Sequence, residues 1–116
     1  MLASAQRVKW NPLKSLAFGS IGAAYVGLGI PLEEPIYLLK VQNFTDQNLL
    51  ISFDGITDHD VIAANGGWVY DFGSNKSDAS GGLWVPQGVR IYIKQEGGVA
   101  PTTGSVYAAS VYASTV

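Results

Sequence analysis

The chain has no cysteine, one histidine and one methionine, and only 14% of its 116 residues are charged. The missing thiols exclude a disulfide framework, a thiol nucleophile and a thiolate metal site. A tetrahedral zinc site has one imidazole to draw on and no sulfur, which is too few ligands. Typical soluble domains carry roughly 25% charged residues, so this surface is short of charge. With 47% apolar residues in one small domain, the chain cannot hide all its apolar area, and other subunits are expected to cover part of it.

What is present points to strands. Glycine is abundant at 14 residues, and Val, Ile, Tyr and Thr recur, which favours an all-β fold. Pro35 to Phe72 holds three apolar runs separated by polar turns, with no helical spacing. In Ile36 to Phe44, period two puts Tyr37, Leu39 and Val41 on one face. Thr45 to Asn48 is a turn, and the next run puts Leu49, Ile51 and Phe53 on one face. A four-residue connection between two alternating runs predicts a hairpin. Val61 to Ala63 is a short strand and Asn65-Gly66-Gly67 a tight turn. Trp68, Tyr70 and Phe72 then share a face against Val69 and Asp71.

Further along, Leu83 to Val85 is a short strand ended by Pro86, and Val89, Ile91 and Ile93 alternate with Arg90, Tyr92 and Lys94. Gly73 to Gly82 and Gln95 to Gly104 read as surface loops, and Ser105 to Ala113 as a terminal or edge strand. About eight or nine strands predict an antiparallel β-sandwich or jelly roll over residues 15–116. Residues 1–14 form an extended arm with Arg7, Lys9, Lys14 and no acid, leaving four basic against nine acidic residues in the rest. Trp10 is costly to leave in water, so the arm is expected to dock on an acidic neighbour, a further copy of the chain included. Three cations in an acidic chain argue against nucleic acid.

Leu16 to Leu32 is uncharged but spans 17 residues broken by four glycines and a proline, against the ~20 apolar residues a membrane span needs. It lacks the compact apolar core of a signal peptide. It reads as a first hairpin turning near Gly22, or as one irregular strand that adds to a neighbour's sheet. Within it Phe18, Tyr25, Leu28 and Ile30 join Trp10 as expected inter-subunit contacts.

No residue set carries chemistry. His59 lies among Asp54, Asp58 and Asp60, but no nucleophile elbow accompanies it, and it reads as an exposed loop histidine. The aspartate spacing does not match the EF-hand calcium loop. The glycine pairs open no phosphate loop. Neither an enzyme nor a cofactor is expected. Trp68 and Trp84 could stack on sugars in a carbohydrate-binding sandwich, although aromatics equally populate cores and interfaces.

The order of these parts carries a resemblance. An uncharged lead-in strand precedes PIYLLKVQNFTDQNLLISFDG, then a turn, VIAANGGWVYDF and WVPQGVRIYIK. From Ser15 to Ala113 this pattern resembles small virion structural proteins of tailed bacteriophages. Those are cysteine-free, glycine-rich β-sandwiches of the head–tail connector or neck, the tail, or the capsid decoration. The resemblance implies a viral protein made in the bacterial host cytoplasm and built into the virion. It also implies a homo-oligomer, with copies in a ring or lattice against portal, tail or capsid proteins. It transfers no site residue.

Overall fold

The computed structural model describes residues 7–72 and 84–114 of the chain. Among the described residues nine strands run in chain order: β1 (Arg7–Trp10), β2 (Lys14–Ala17), β3 (Val26–Leu28), β4 (Leu38–Asn43), β5 (Leu49–Ser52), β6 (Asp60–Ile62), β7 (Gly67–Asp71), β8 (Ile91–Gln95) and β9 (Ser105–Ser114). One 3₁₀ turn, Phe18–Ser20, follows β2, and the described residues form no α-helix. The fold is an antiparallel β-sandwich of two sheets. Sheet A has the order β1-β9-β4-β7 with β2 also on β9; sheet B has the order β3-β8-β5-β6.

The pairing is nested. β2 pairs with β9, β3 with β8, β4 with β7 and β5 with β6, all antiparallel. The chain is therefore one long two-stranded ribbon whose tip is the β5–β6 hairpin. Rolling the ribbon brings β9 against β4 and β8 against β5, which makes the sandwich a jelly roll. Its interior holds Leu28, Ile36, Leu39, Val41, Leu49, Ile51, Ile62, Ile93 and Val106, all essentially without solvent contact. Each such side chain contributes about 1.5–3 kcal/mol of burial. Burial is the main stabilising term in a chain without cysteine.

The rolled ribbon corrects several expectations. The Thr45–Asn48 turn does not close a hairpin: β4 lies in sheet A and β5 in sheet B, so the turn is a corner between layers. Asn43 makes that corner. Its Nδ2 donates to the carbonyls of Gln47, Ile62 and Ala63, and its Oδ1 accepts from the Thr45 backbone N–H and hydroxyl. Asn43 and Thr45 are both fully buried, and among the described residues no buried side-chain polar atom is left without a partner. The lead-in is not a hairpin either, since β2 and β3 belong to different sheets.

Ser105–Ser114 is not an edge strand but an inner one, between β1 and β2 on one side and β4 on the other. Tyr37 does not share the face of Leu39: the chain bends at Tyr37, and Ile36 and Leu39 are the residues that point inward. Of the expected strand ending at Pro86, Val85 forms a single bridge to Ile36; Leu83 and the loop Gly73 to Gly82 lie outside the described residues.

The Gln95–Gly104 loop is tied down. Asp46 accepts from the backbone N–H and hydroxyl of Thr102, which draws its carboxyl below the usual carboxylate range. At its end Gly104 has φ +90°, and a Cβ there would run into the Phe44 carbonyl.

Residues 7–17 form one edge of sheet A. Trp10 faces Val111 and Lys14 faces Ala108, so four steps along this edge match three along β9. The extra residue makes a bulge at Asn11-Pro12-Leu13. Proline, lysine and a bulge are the usual means of stopping further strands from adding to an edge. Asn11 holds the bulge by donating from its backbone N–H to the Ser110 carbonyl and from Nδ2 to the Ser110 hydroxyl.

Candidate assembly surface

Residues paired across an antiparallel ladder share a face, so the register assigns both outer faces. On sheet A, the inward residues of β4 are Leu39, Val41 and Asn43. Their neighbours Leu38, Lys40 and Gln42 point outward. With them, by register, go Trp10, Val111 and Asp71 in one row and Ala109 and Val69 in the next; Val8 and Ala113 lie beyond Trp10. Most of this face is apolar. Trp10 is 70% exposed, and Val8 and Val69 are also open to solvent. A partner that covered Trp10 fully would gain on the order of 3–4 kcal/mol from that ring.

The outer face of sheet B is built differently. Register places Gly27 opposite Tyr92, and Tyr25, just before β3, lies beside Lys94. The Lys94 ammonium lies over the Tyr25 ring at 4.6 Å, and Arg90 lies 5.8 Å from the Tyr92 ring. Arg90 Nε donates to the Gly29 carbonyl at 2.7 Å, and its guanidinium occupies the space that a Cβ on Gly27 would need. Asp58 accepts from the Tyr25 hydroxyl at 2.5 Å and pairs with Lys94 at 3.3 Å. The Tyr25 hydrogen bond and the lysine hold the Asp58 carboxyl below its ordinary range. Desolvation and the same carboxylate push the Tyr25 phenol up.

The loop that carries His59 folds over this face. Asp54 Oδ1 accepts from the backbone N–H groups of Ile56 and Thr57 and from the Ser52 hydroxyl, which holds its carboxyl far below the usual range. His59 Nδ1 accepts from the Phe53 backbone N–H at 3.0 Å, so the imidazole braces the loop and is not aimed at a nucleophile. No group of three or more His, Cys, Asp or Glu among the described residues is arranged to hold a metal ion.

The remaining expected residues are scattered. Phe18 is half-exposed in the 3₁₀ turn, and Ile30 is exposed beyond β3. Tyr25 belongs to the sheet B network. Leu28 is fully buried between the sheets and serves this chain's own core. Trp68 and Trp84 are 48% and 41% exposed, but they do not share a platform. Trp68 stands opposite Val41 on the inward side of β7, where its Nε1 donates to the Val61 carbonyl of sheet B at 3.0 Å. Tyr70 beside it donates to Asp60 at 2.5 Å, so these two rings latch the two sheets along the β6–β7 side. Trp84 instead packs edge-on against Tyr37 at 5.3 Å.

Two features lie outside the expected set: the apolar rows beside Trp10 and the Asn43 corner. The first was hidden because its members come from four strands far apart in sequence. The second could have been suspected from a lone asparagine ending an apolar run. Comparisons with family models, curated proteins and solved structures found no match, so the geometry stands alone.

Proposed function

We propose that this chain is a non-enzymatic structural component of a tailed-phage virion. In this reading it assembles in multiple copies at the head–tail connector, neck or tail, and joins or seals the particle through buried area. The observation that carries the assembly part is the set of exposed apolar side chains on the outer face of sheet A, Trp10, Val8 and Val69, which share that face with Lys40, Gln42 and Asp71. Monomeric domains rarely leave an apolar, contiguous face open, and tryptophan is among the residues that dominate interface energies. The phage part rests on the sequence resemblance. The jelly roll agrees with it by analogy alone, since viral capsid proteins and lectins share that architecture.

The test is light scattering on the full chain and on a Val8→Ser/Trp10→Ser double variant. Both positions are exposed, so the variant keeps its fold by circular dichroism. The wild-type chain is expected to form assemblies over a micromolar range and the double variant to lose them; equal masses for the two would overturn the proposal.

A second reading has one observation in its favour. Trp84 presents a half-exposed ring supported edge-on by Tyr37, as a decoration or carbohydrate-binding module on the virion surface would require. Trp84→Ala would then abolish retention on a glycan array, while binding by neither form would remove this reading.

A further inference from the structure

On the assembly reading above, copies meet through the outer face of sheet A; the edge of the same sheet offers a second, separate contact. We propose that the β7 edge pairs with the β7 edge of a second copy about a two-fold axis through Val69, so that sheet A runs on from one copy into the next. The contact rests on that reading only for a second copy being at hand. It uses strand backbone, not the Trp10 ring.

The β4–β7 ladder decides which backbone groups are open. Phe72 donates its N–H to the Tyr37 carbonyl at 2.9 Å, and Asn43 donates to the Gly66 carbonyl at 2.8 Å. Bonded pairs alternate along an antiparallel ladder. By register, Tyr70 and Trp68 therefore turn their N–H and C=O groups to Leu39 and Val41, and Gly67 and Val69 turn theirs away from the sheet. Among the described residues β7 has no neighbour on that side. Gly67, Trp68 and Val69 are exposed in succession, where a covered strand would alternate. With Val61, whose carbonyl Trp68 holds, three large apolar side chains stand open along this side.

Among the described residues, the other three sheet edges are closed from within, by the devices that keep foreign strands away. The β1–β2 edge carries the Pro12 bulge and Lys14. β3 is three residues long, and the Lys14 stem lies on Gly29 at its end. β6 has both backbone groups of its middle residue bonded. The Val61 N–H is held by Asp60 Oδ1 at 2.8 Å, and the Val61 carbonyl accepts from Trp68 Nε1. A second copy thus has one open edge to offer, its own β7.

Symmetry and charge then fix the register. The axis must cross a residue whose backbone groups face outward. Through Asp71 it would set carboxylate against carboxylate, and like charges directly opposite destabilise a pair. Through Gly67 it would lay β7 against the Ala63–Asn65 turn, which Gly66 closes by donating to the Ala63 carbonyl. Through Val69 it sets Val69 on Val69 and Gly67 across from Asp71, so each acid meets a glycine. The two Val69 residues exchange N–H···O=C bonds, and their side chains meet on the outer face. The face that holds Trp10 and Val69 then continues into the second copy. Such a contact is isologous and closes a pair; the Trp10 face joins pairs into larger assemblies.

The test uses two full-length variants and a control. The chain has no cysteine, so Val69→Cys carries a single thiol. Residues that exchange both bonds of an antiparallel pair have Cα atoms ~5.5 Å apart, a separation that a disulfide spans. Under mild oxidation Val69→Cys is expected to form covalent pairs roughly tenfold faster than Val99→Cys, a control at another half-exposed valine. Val69→Pro deletes the outward N–H and keeps the ladder to β4, a place where an edge strand accepts proline. In native mass spectrometry its pairs are expected to weaken about tenfold or more against wild type. Circular dichroism checks each fold, and if Val69→Pro does not fold, Val69→Cys decides alone. Equal rates for the two thiols overturn the contact, as does a folded Val69→Pro that pairs like wild type. If Val69→Pro pairs normally while Val8→Ser/Trp10→Ser loses the larger assemblies, this contact fails and the assembly reading stands. If Val69→Cys crosslinks ahead of the control and the double variant matches wild type in mass, the contact stands and the Trp10 face fails. A wild-type chain that stays monomeric at every concentration overturns both.

Discussion

The two outer faces of one sandwich are finished in opposite ways. Sheet B spends its outward residues on internal partners: Lys94 on Tyr25 and Asp58, Arg90 on Tyr92 and the Gly29 carbonyl, with the Asp54 loop laid on top. Sheet A presents Trp10, Val8 and Val69 directly to solvent. Both sheets share one core, so stability alone does not demand the difference. A face whose polar groups satisfy each other gives a partner little to gain, because those contacts must first be broken. Exposed apolar side chains such as Trp10, Val8 and Val69 lose mainly water when they are covered. The contrast therefore separates a surface that belongs to the monomer from one left for a neighbour.

The largest effect should come from removing what both faces depend on. Asn43→Ala strips the corner of a side chain that serves three carbonyls and Thr45. It should cost roughly 2–4 kcal/mol in urea unfolding, because the buried partners are left unsatisfied. A loss below about 0.5 kcal/mol would mean that the corner is not a structural necessity.

On sheet B, Tyr25→Phe deletes the hydrogen bond to Asp58 but keeps the ring under Lys94. A stability loss of about 0.5–1.5 kcal/mol is expected, with no change in assembly mass. The reverse is expected of Trp10→Ser on sheet A: stability within about 0.5 kcal/mol of wild type, and assembly lost. If the two variants behaved alike, the distinction between the faces would collapse.

Acid should act on the loops held by lowered carboxyls, the Asp54–Asp58 loop on the sheet B face and the Asp46–Thr102 tie, before it reaches the strands. The carboxyls of Asp54 and Asp58 titrate below their ordinary values in the folded chain. Their contribution is therefore present above the unfolded carboxylate value of about 3.9 and is lost as pH falls through the lower folded values. Relative to the intrinsic rate, protection of the Ile56 and Thr57 amides is expected to fall below pH ~4 before that of β4 and β9 does. In alkali the sign reverses. The raised Tyr25 phenol favours the fold below about pH 10, and that contribution is lost only as pH climbs through the higher folded value. Simultaneous loss of protection in both sheets at acid pH would show that the loop is not a separate unit.

Much of the sandwich was legible because its strands alternate locally. Ile91 and Ile93 are buried while Arg90, Tyr92 and Lys94 line the outer face, as their spacing requires. Trp68 and Tyr70 share a face as well. The sheet partners were not legible, since a jelly roll pairs strands far apart in the chain and, among the described strands, only β5 and β6 pair as neighbours in a hairpin. The Thr45–Asn48 turn has the composition of a hairpin turn. What makes it a corner is Asn43 reaching Ile62 and Ala63, a contact invisible at short range. The candidate surface was half visible. Trp10 stood out by its cost in water, but its companion Val69 joins it only through β9 and β4. Leu28 looks like its neighbour Ile30 in sequence, yet one is core and the other surface, because the chain leaves β3 at Gly29.

The most direct measurement is oxidative footprinting of the wild-type chain, dilute and concentrated, read at Trp10 and at the two tyrosines of the sheet B face. On this account Trp10 becomes protected as the mass rises, while Tyr25 and Tyr92 label equally in both samples. Assemblies that form with Trp10 still fully reactive would show that the open face of sheet A is not the surface that holds them.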